Sequence, residues 1–110
     1  MAYSEALAER MRTLLKRRRG LSERKMFGGL AFLLHSNMAC GIVGDDLMLR
    51  LGKDGAAEAL KAPGTREMDF TGKPMKSMVY VSAKAIKSDD ALRVWMERSL
   101  DFARSLPRKS

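Results

Sequence analysis

Between Gly28 and Leu51 the chain is turned back on itself at short, regular intervals. Gly28-Gly29, Ser36-Asn37 and Gly44-Asp45-Asp46 separate runs rich in Leu, Phe, Val and Ile. Glycine enters the positive-φ region without a steric cost, and Ser, Asn and Asp side chains bond to their own backbone, so each cluster is a turn. A parallel crossover needs about a dozen residues or more, and none of these links holds that many. The runs must therefore lie side by side as antiparallel neighbours. The spacing predicts strands over Leu30 to His35, Met38 to Val43 and Leu47 to Leu51, with a shorter one from Arg24 to Phe27. Ser36-Asn37 is expected to be the tight hairpin turn.

Both flanks change period. Leu7, Met11, Leu14 and Leu15 lie on one face of a helix that Ser4 can cap, that Glu5 supports in its first turn and that Gly20 stops. Lys16-Arg17-Arg18-Arg19 is expected to close that helix, where the carbonyl end of the dipole favours cations. At the other end Ser88 is a capping residue, Asp89 and Asp90 fill a first turn, and Leu92, Trp95, Met96, Leu100, Ala103 and Leu106 share a stripe that Leu106-Pro107 ends. In between, Asp54 can cap a short helix through Ala56, Ala57, Ala59 and Leu60, which Pro63-Gly64 ends. Glu67 to Phe70 and Met78 to Val81 read as two more strands around an irregular loop, Thr71-Gly72-Lys73-Pro74-Met75-Lys76.

The expected fold is α+β in two layers: an antiparallel sheet of about five to six strands with helices packed mainly on one face, in the order helix, meander, short helix, hairpin, long helix. One domain over 1–106 accounts for the pattern, followed by a basic tail, 107–110. The 110 residues, 45% of them hydrophobic, suffice to bury a core without staples. A single cysteine and a single histidine exclude an internal disulfide and a structural zinc site. No cofactor is expected. The N-terminus lacks the pattern of a signal peptide and no apolar run approaches the ~18 residues of a membrane span, so a cytoplasmic protein without a membrane partner is expected.

The residues able to do chemistry are few. A thiolate needs a base or cation beside it, and His35 is the only imidazole on offer to Cys40. With Ser36-Asn37 as the turn, Leu33 opposes Cys40 and His35 opposes Met38, which leaves His35 and Cys40 diagonal, their backbones roughly 7–8 Å apart. Ala39, Gly41 and Ile42 around the thiol predict a buried core cysteine. Gly28-Gly29 runs into a strand, whereas a phosphate-binding glycine loop opens onto a helix N-terminus, so the pair is expected to shape a turn or bulge. Asp45-Asp46 and Asp89-Asp90 serve a turn and a helix N-terminus. The residues predict no enzyme.

What remains is binding. A net charge of +8 favours polyanions, which makes nucleic acid a candidate partner through Lys16, Arg17, Arg18 and Arg19. A protein partner is the leading expectation, through Lys25, Phe27, Gly28 and Gly29 together with Phe70, Gly72, Lys73, Pro74, Met75 and Lys76, where glycines, a proline and cations sit beside apolar residues in irregular segments. A homodimer is also among the expectations, since an open sheet leaves edge strands that a second copy can cover.

Lys25-Met26-Phe27-Gly28-Gly29-Leu30-Ala31-Phe32, Met38-Ala39-Cys40-Gly41, Asp45-Asp46-Leu47-Met48-Leu49-Arg50 and Met68-Asp69-Phe70-Thr71-Gly72-Lys73-Pro74-Met75 together resemble the N-terminal domain of the TfoX/Sxy family of competence regulators. The resemblance covers nearly the whole chain. It implies a bacterial origin, a compact α+β fold, and a place in the transcriptional control of DNA uptake, where full-length members act with a cyclic-AMP-dependent activator at promoters. It brings no catalytic residues. Full-length members carry a second, helical C-terminal domain, and this chain is expected to be a single-domain member lacking it.

Overall fold

A computed structural model describes residues 3–16, 19–26, 28–70 and 73–107, with side chains for all of these except 26, 68–70 and 73–76. The chain runs α1 (Glu5–Leu15), β1 (Leu21–Met26), β2 (Gly29–Leu34), β3 (Asn37–Val43), β4 (Asp46–Arg50), α2 (Gly52–Ala59), β5 (Thr65–Phe70), β6 (Lys73–Val81), a 3-10 turn (Ala83–Ile86) and α3 (Asp89–Ser105). The strands form one antiparallel six-stranded sheet in the order β1-β2-β3-β4-β6-β5. The α+β architecture predicted from the turn spacing is the one observed.

Capping at the two long helices follows local chemistry. Ser4 Oγ accepts from the Leu7 N–H at 3.1 Å, and Ser88 Oγ accepts from the Ala91 N–H at 3.0 Å. Each satisfies an orphan donor of a first turn. The cations after α1 are displaced from their expected place: α1 ends at Leu15, Lys16 is its C-cap, and the basic residue of its last turn is Arg12. The reversal falls later, at Gly20, with φ +82°. Asp54 is likewise a first-turn residue of α2, not its cap, because that helix already starts at Gly52 and its N-cap is Leu51.

Two strand boundaries differ from expectation for physical reasons. The β2–β3 turn is His35-Ser36, with φ +51° and +69°, and Leu34 pairs with Asn37. Asn37 is drawn into the strand because its side chain is buried and its Nδ2 donates to the Pro107 carbonyl at 2.8 Å, beyond the end of α3. The segment expected to be a loop over 71–76 is largely strand: Phe70 pairs with Lys73, Asp69 with Pro74 and Met68 with Met75. Proline is tolerated there because β4 pairs with β6 only over 78–81, so the side of Pro74 away from β5 has no ladder to interrupt.

Strand alternation sends one set of side chains under the helices. Leu30, Phe32 and Leu34 of β2, Cys40 and Ile42 of β3, Leu47 and Leu49 of β4, and Val79 and Val81 of β6 join Leu7, Met11 and Leu15 of α1, Ala56 and Ala59 of α2, and Leu92, Met96, Leu100 and Ala103 of α3 in one core. The opposite face has a smaller cluster, Met48 and Met78 with Met38, Val43 and Tyr80 beside them. Gly41 makes room for it: a Cβ there would come within 2.5 Å of the Leu30 carbonyl oxygen and 2.7 Å of the Met48 Cε. The flexible thioether thus occupies the space that a side chain on β3 would need.

Candidate interaction surface

The thiol is sealed into the core. Cys40 has no solvent exposure and hydrogen-bonds with Ser99 of α3, whose hydroxyl donates to the Met96 carbonyl at 2.8 Å. Burial pushes the thiol up to about 12, with Ser99 pulling slightly the other way, so it stays protonated at neutral pH. His35 does not meet it. Cys40 pairs with Phe32, three residues before His35, roughly 10 Å along the strand at 3.3 Å per residue. The imidazole instead packs on Gly20, where a Cβ would come within 2.4 Å of its Cε1. Among the described residues no group of His, Cys, Asp and Glu could hold a metal ion.

The residues expected to form one protein-binding surface divide into two places. Lys25, Gly28 and Gly29 lie at the β1–β2 turn, at the end of the sheet where Leu30 pairs with Ile42 and Val43 with Asp46. Gly28 has φ +72° with open space around its Cα, and Gly29 brings its strand so close to β3 that a Cβ would lie 2.0 Å from the Ile42 carbonyl oxygen. Phe70, Lys73, Pro74, Met75 and Lys76 belong to the β5–β6 hairpin, which extends past the Arg50–Met78 pair at the other end. Three strands, β3, β4 and β6, separate β2 from β5. The two stretches occupy diagonal corners of the sheet. Phe27 and Gly72 lie outside the described residues, as do Arg17 and Arg18.

Described cations from each expected surface lie along β1, Lys16 and Arg19 from one and Lys25 from the other, while Lys73 and Lys76 stay on the β5–β6 hairpin. Lys16 and Arg19 are exposed at the Leu21 end of β1, and Arg24 and Lys25 are exposed near its Met26 end. Strand β1 is an outer strand of the sheet, paired among the described residues only with β2. The His35 N–H donates to the Gly20 carbonyl at 2.8 Å, and Met26 pairs with Gly29 across the turn. Antiparallel ladders alternate, so Ser22 and Arg24 turn their backbone groups to β2 while the N–H and C=O of Leu21, Glu23 and Lys25 point outward.

Above this edge an open groove of about 540 Å³ separates α1 from β1, lined by Arg12, Leu15, Lys16, Leu21, Ser22, Glu23 and Phe32. Arg12 spans it, donating to Glu23 at 2.8 and 2.9 Å and also to Glu9. The guanidinium holds the Glu23 carboxyl below the usual carboxylate range. Sequence reasoning started β1 at Arg24 and so missed its first half, along with the Arg12–Glu23 clasp. Leu21 next to Ser22-Glu23 was the signal available, an apolar residue restarting alternation directly after Gly20.

Comparison with known proteins gives one family. The TfoX N-terminal domain family model matches residues 13–103, which takes in every strand and nearly all of α3. A search of curated proteins found no match.

Proposed function

The chain belongs to the TfoX N-terminal domain family, a competence-related regulatory family, and on that premise we propose that it works by binding a protein partner in the transcriptional control of DNA uptake. Catalysis has no part in this reading. The observation that carries it is the contrast in accessibility between chemistry and charge: Cys40 is fully buried with a thiol held protonated, while Lys16, Arg19, Arg24 and Lys25 are exposed along one edge of a rigid sheet. Loops and edges on such scaffolds are where recognition residues sit. The β1 side, with Lys25, Gly28 and Gly29, is the primary surface. The β5–β6 hairpin, with Lys73 and Lys76, is a separate one.

Co-purification from the native cell tests this with the wild-type chain, Lys25→Glu, and the double variant Lys73→Glu, Lys76→Glu. A protein partner lost with Lys25→Glu and kept with the hairpin variant is the expected result. Unchanged partners in both variants would reject both surfaces. The same row of exposed cations supports a second reading, direct nucleic-acid binding, in which affinity falls steeply with salt as counterions are released. A mobility-shift titration separates the two, because a protein-binding edge retains little duplex even at low salt.

A further inference from the structure

The outer edge of β1 combines three features that together specify a ligand. Its first is a row of backbone donors and acceptors at Leu21, Glu23 and Lys25 that have no partner among the described residues, the groups an extended segment uses when it adds to a sheet. Next to Leu21 is the groove, whose floor is made by the apolar side chains of Leu15, Leu21 and Phe32. Finally, the exposed charge around the edge is positive at both ends, from Lys16 and Arg19 to Arg24 and Lys25. The one acid on the strand, Glu23, is already engaged by Arg12.

We propose that the β1 edge accepts an extended, acidic segment of a partner protein as an added strand, with an apolar side chain of that segment seated in the groove between α1 and β1. The proposal rests on the protein-binding reading above and names the chemistry of the partner. The order of features along the strand sets the order of residues in the ligand. An apolar residue lies beside Leu21, and carboxylates lie beside Arg24 and Lys25, roughly 10–13 Å away at 3.3 Å per residue. Because Lys25 shares the helix-covered side with Leu21 and Arg24 faces the other side, successive acidic residues are both used.

A second copy of this chain is a poor occupant of the same edge. Two copies of a chain with a net charge of +8 repel. Self-pairing centred on Arg24 sets the two arginines opposite each other and offers the Lys25 of each copy only a Glu23 that Arg12 already holds, and centring on Glu23 opposes two glutamates and places Leu21 against Lys25. Like charges directly across a ladder are destabilising. An acidic segment meets none of these conflicts.

The test uses the full chain and a capped extended peptide carrying one valine and, three and four residues along it, two successive glutamates, against the same peptide with lysine for glutamate. The glutamate peptide should bind and slow amide exchange at Leu21, Glu23 and Lys25, the lysine peptide should not. Lys25→Pro removes an outward N–H without touching a β1–β2 bond, whereas Lys25→Gln removes only the charge. The proline variant should lose affinity by roughly tenfold more than the glutamine variant, the scale of one hydrogen bond to an edge. Circular dichroism checks that both variants fold, and the wild-type exchange pattern stands even if one does not. Equal binding of the lysine peptide, unprotected amides at these three positions, or self-association through β1 in sedimentation would overturn the proposal. If native co-purification yields a partner that Lys25→Pro does not release, the edge is wrong and the protein-binding reading survives. If it yields none, that reading falls too.

Discussion

Strands β3 and β1 belong to the same sheet, lie two places apart in it, and use their residues in opposite ways. Strand β3 has a strand on each side and α3 across one face, so even its thiol is neutral and out of reach. Strand β1 has one neighbour among the described residues, and its Ser22, Glu23, Arg24 and Lys25 are exposed. Residue type alone points the wrong way here. A cysteine is the more reactive group in solution and a lysine the more ordinary one, but position in the sheet leaves only the lysine available. A free edge is also the aggregation hazard of an open sheet, and charged side chains are a common way to blunt it. On the acidic-segment proposal, those charges disfavour a second copy while admitting a segment of opposite sign.

The contrast breaks first, and by the largest margin, in stability. Leu100 on α3 is fully buried over the middle of the sheet, and Leu100→Ala should cost about 2–5 kcal/mol through lost transfer energy and the cavity left behind. Leu21 is only half-buried beside the groove, so Leu21→Ala should cost distinctly less. Urea denaturation of both variants measures the difference. Equal losses would mean that the edge is packed as tightly as the centre, and the groove would then have to be closed in solution.

Alkaline pH sharpens the same contrast by a smaller amount. Burial raises the Cys40 thiol from 9.0 to about 12 in the folded chain. The unfolded chain releases that proton first, so stability attached to the neutral thiol is intact below about 9 and is lost as pH rises from there through about 12. The loss seen in wild type should shrink in Cys40→Ala, whose other titrating groups are the same. At neutral pH a thiol reagent should label Cys40 only as fast as the chain opens. Rapid labelling of the native protein would show that the centre is not closed.

How much of this could be read from the chain depends on how local each cause is. The caps Ser4 and Ser88 act on amides three residues ahead, and both were legible. The antiparallel order followed from turns too close together for any other path, and the burial of Cys40 followed from its apolar neighbours. The shift of the β2–β3 turn to His35-Ser36 was hidden because it is decided by Asn37 bonding to the Pro107 carbonyl, a contact 70 residues away. The strand character of 73–76 was hidden because Pro74 is permitted only by the length of β4, which local sequence does not specify. For the candidate surface, individual cations were visible but not their alignment. That alignment depends on β1 beginning at Leu21, and on Arg12 reaching Glu23 from a different element.

The smallest expected effect lies in that last contact, and it separates a clasp that builds the edge from one that merely decorates it. Arg12 and Glu23 are each about one-third exposed, at 34% and 36%, so solvent screens their attraction and the pair should contribute below about 1 kcal/mol. Its pH dependence has a definite sign. Arg12 holds the Glu23 carboxyl below its ordinary 4.5, so the contribution is present above that value and fades as pH falls beneath it. Glu23→Gln should therefore be slightly less stable than wild type near neutrality and converge with it in acid, by urea midpoints taken across that range. It also leaves Arg12 paired with Glu9 alone, removing one negative charge from the groove. On the acidic-segment proposal this makes affinity for the glutamate peptide rise while stability falls. A variant that lost both would mean that the clasp is needed to hold the groove open, and that the edge depends on α1 for its shape as well as for its charge.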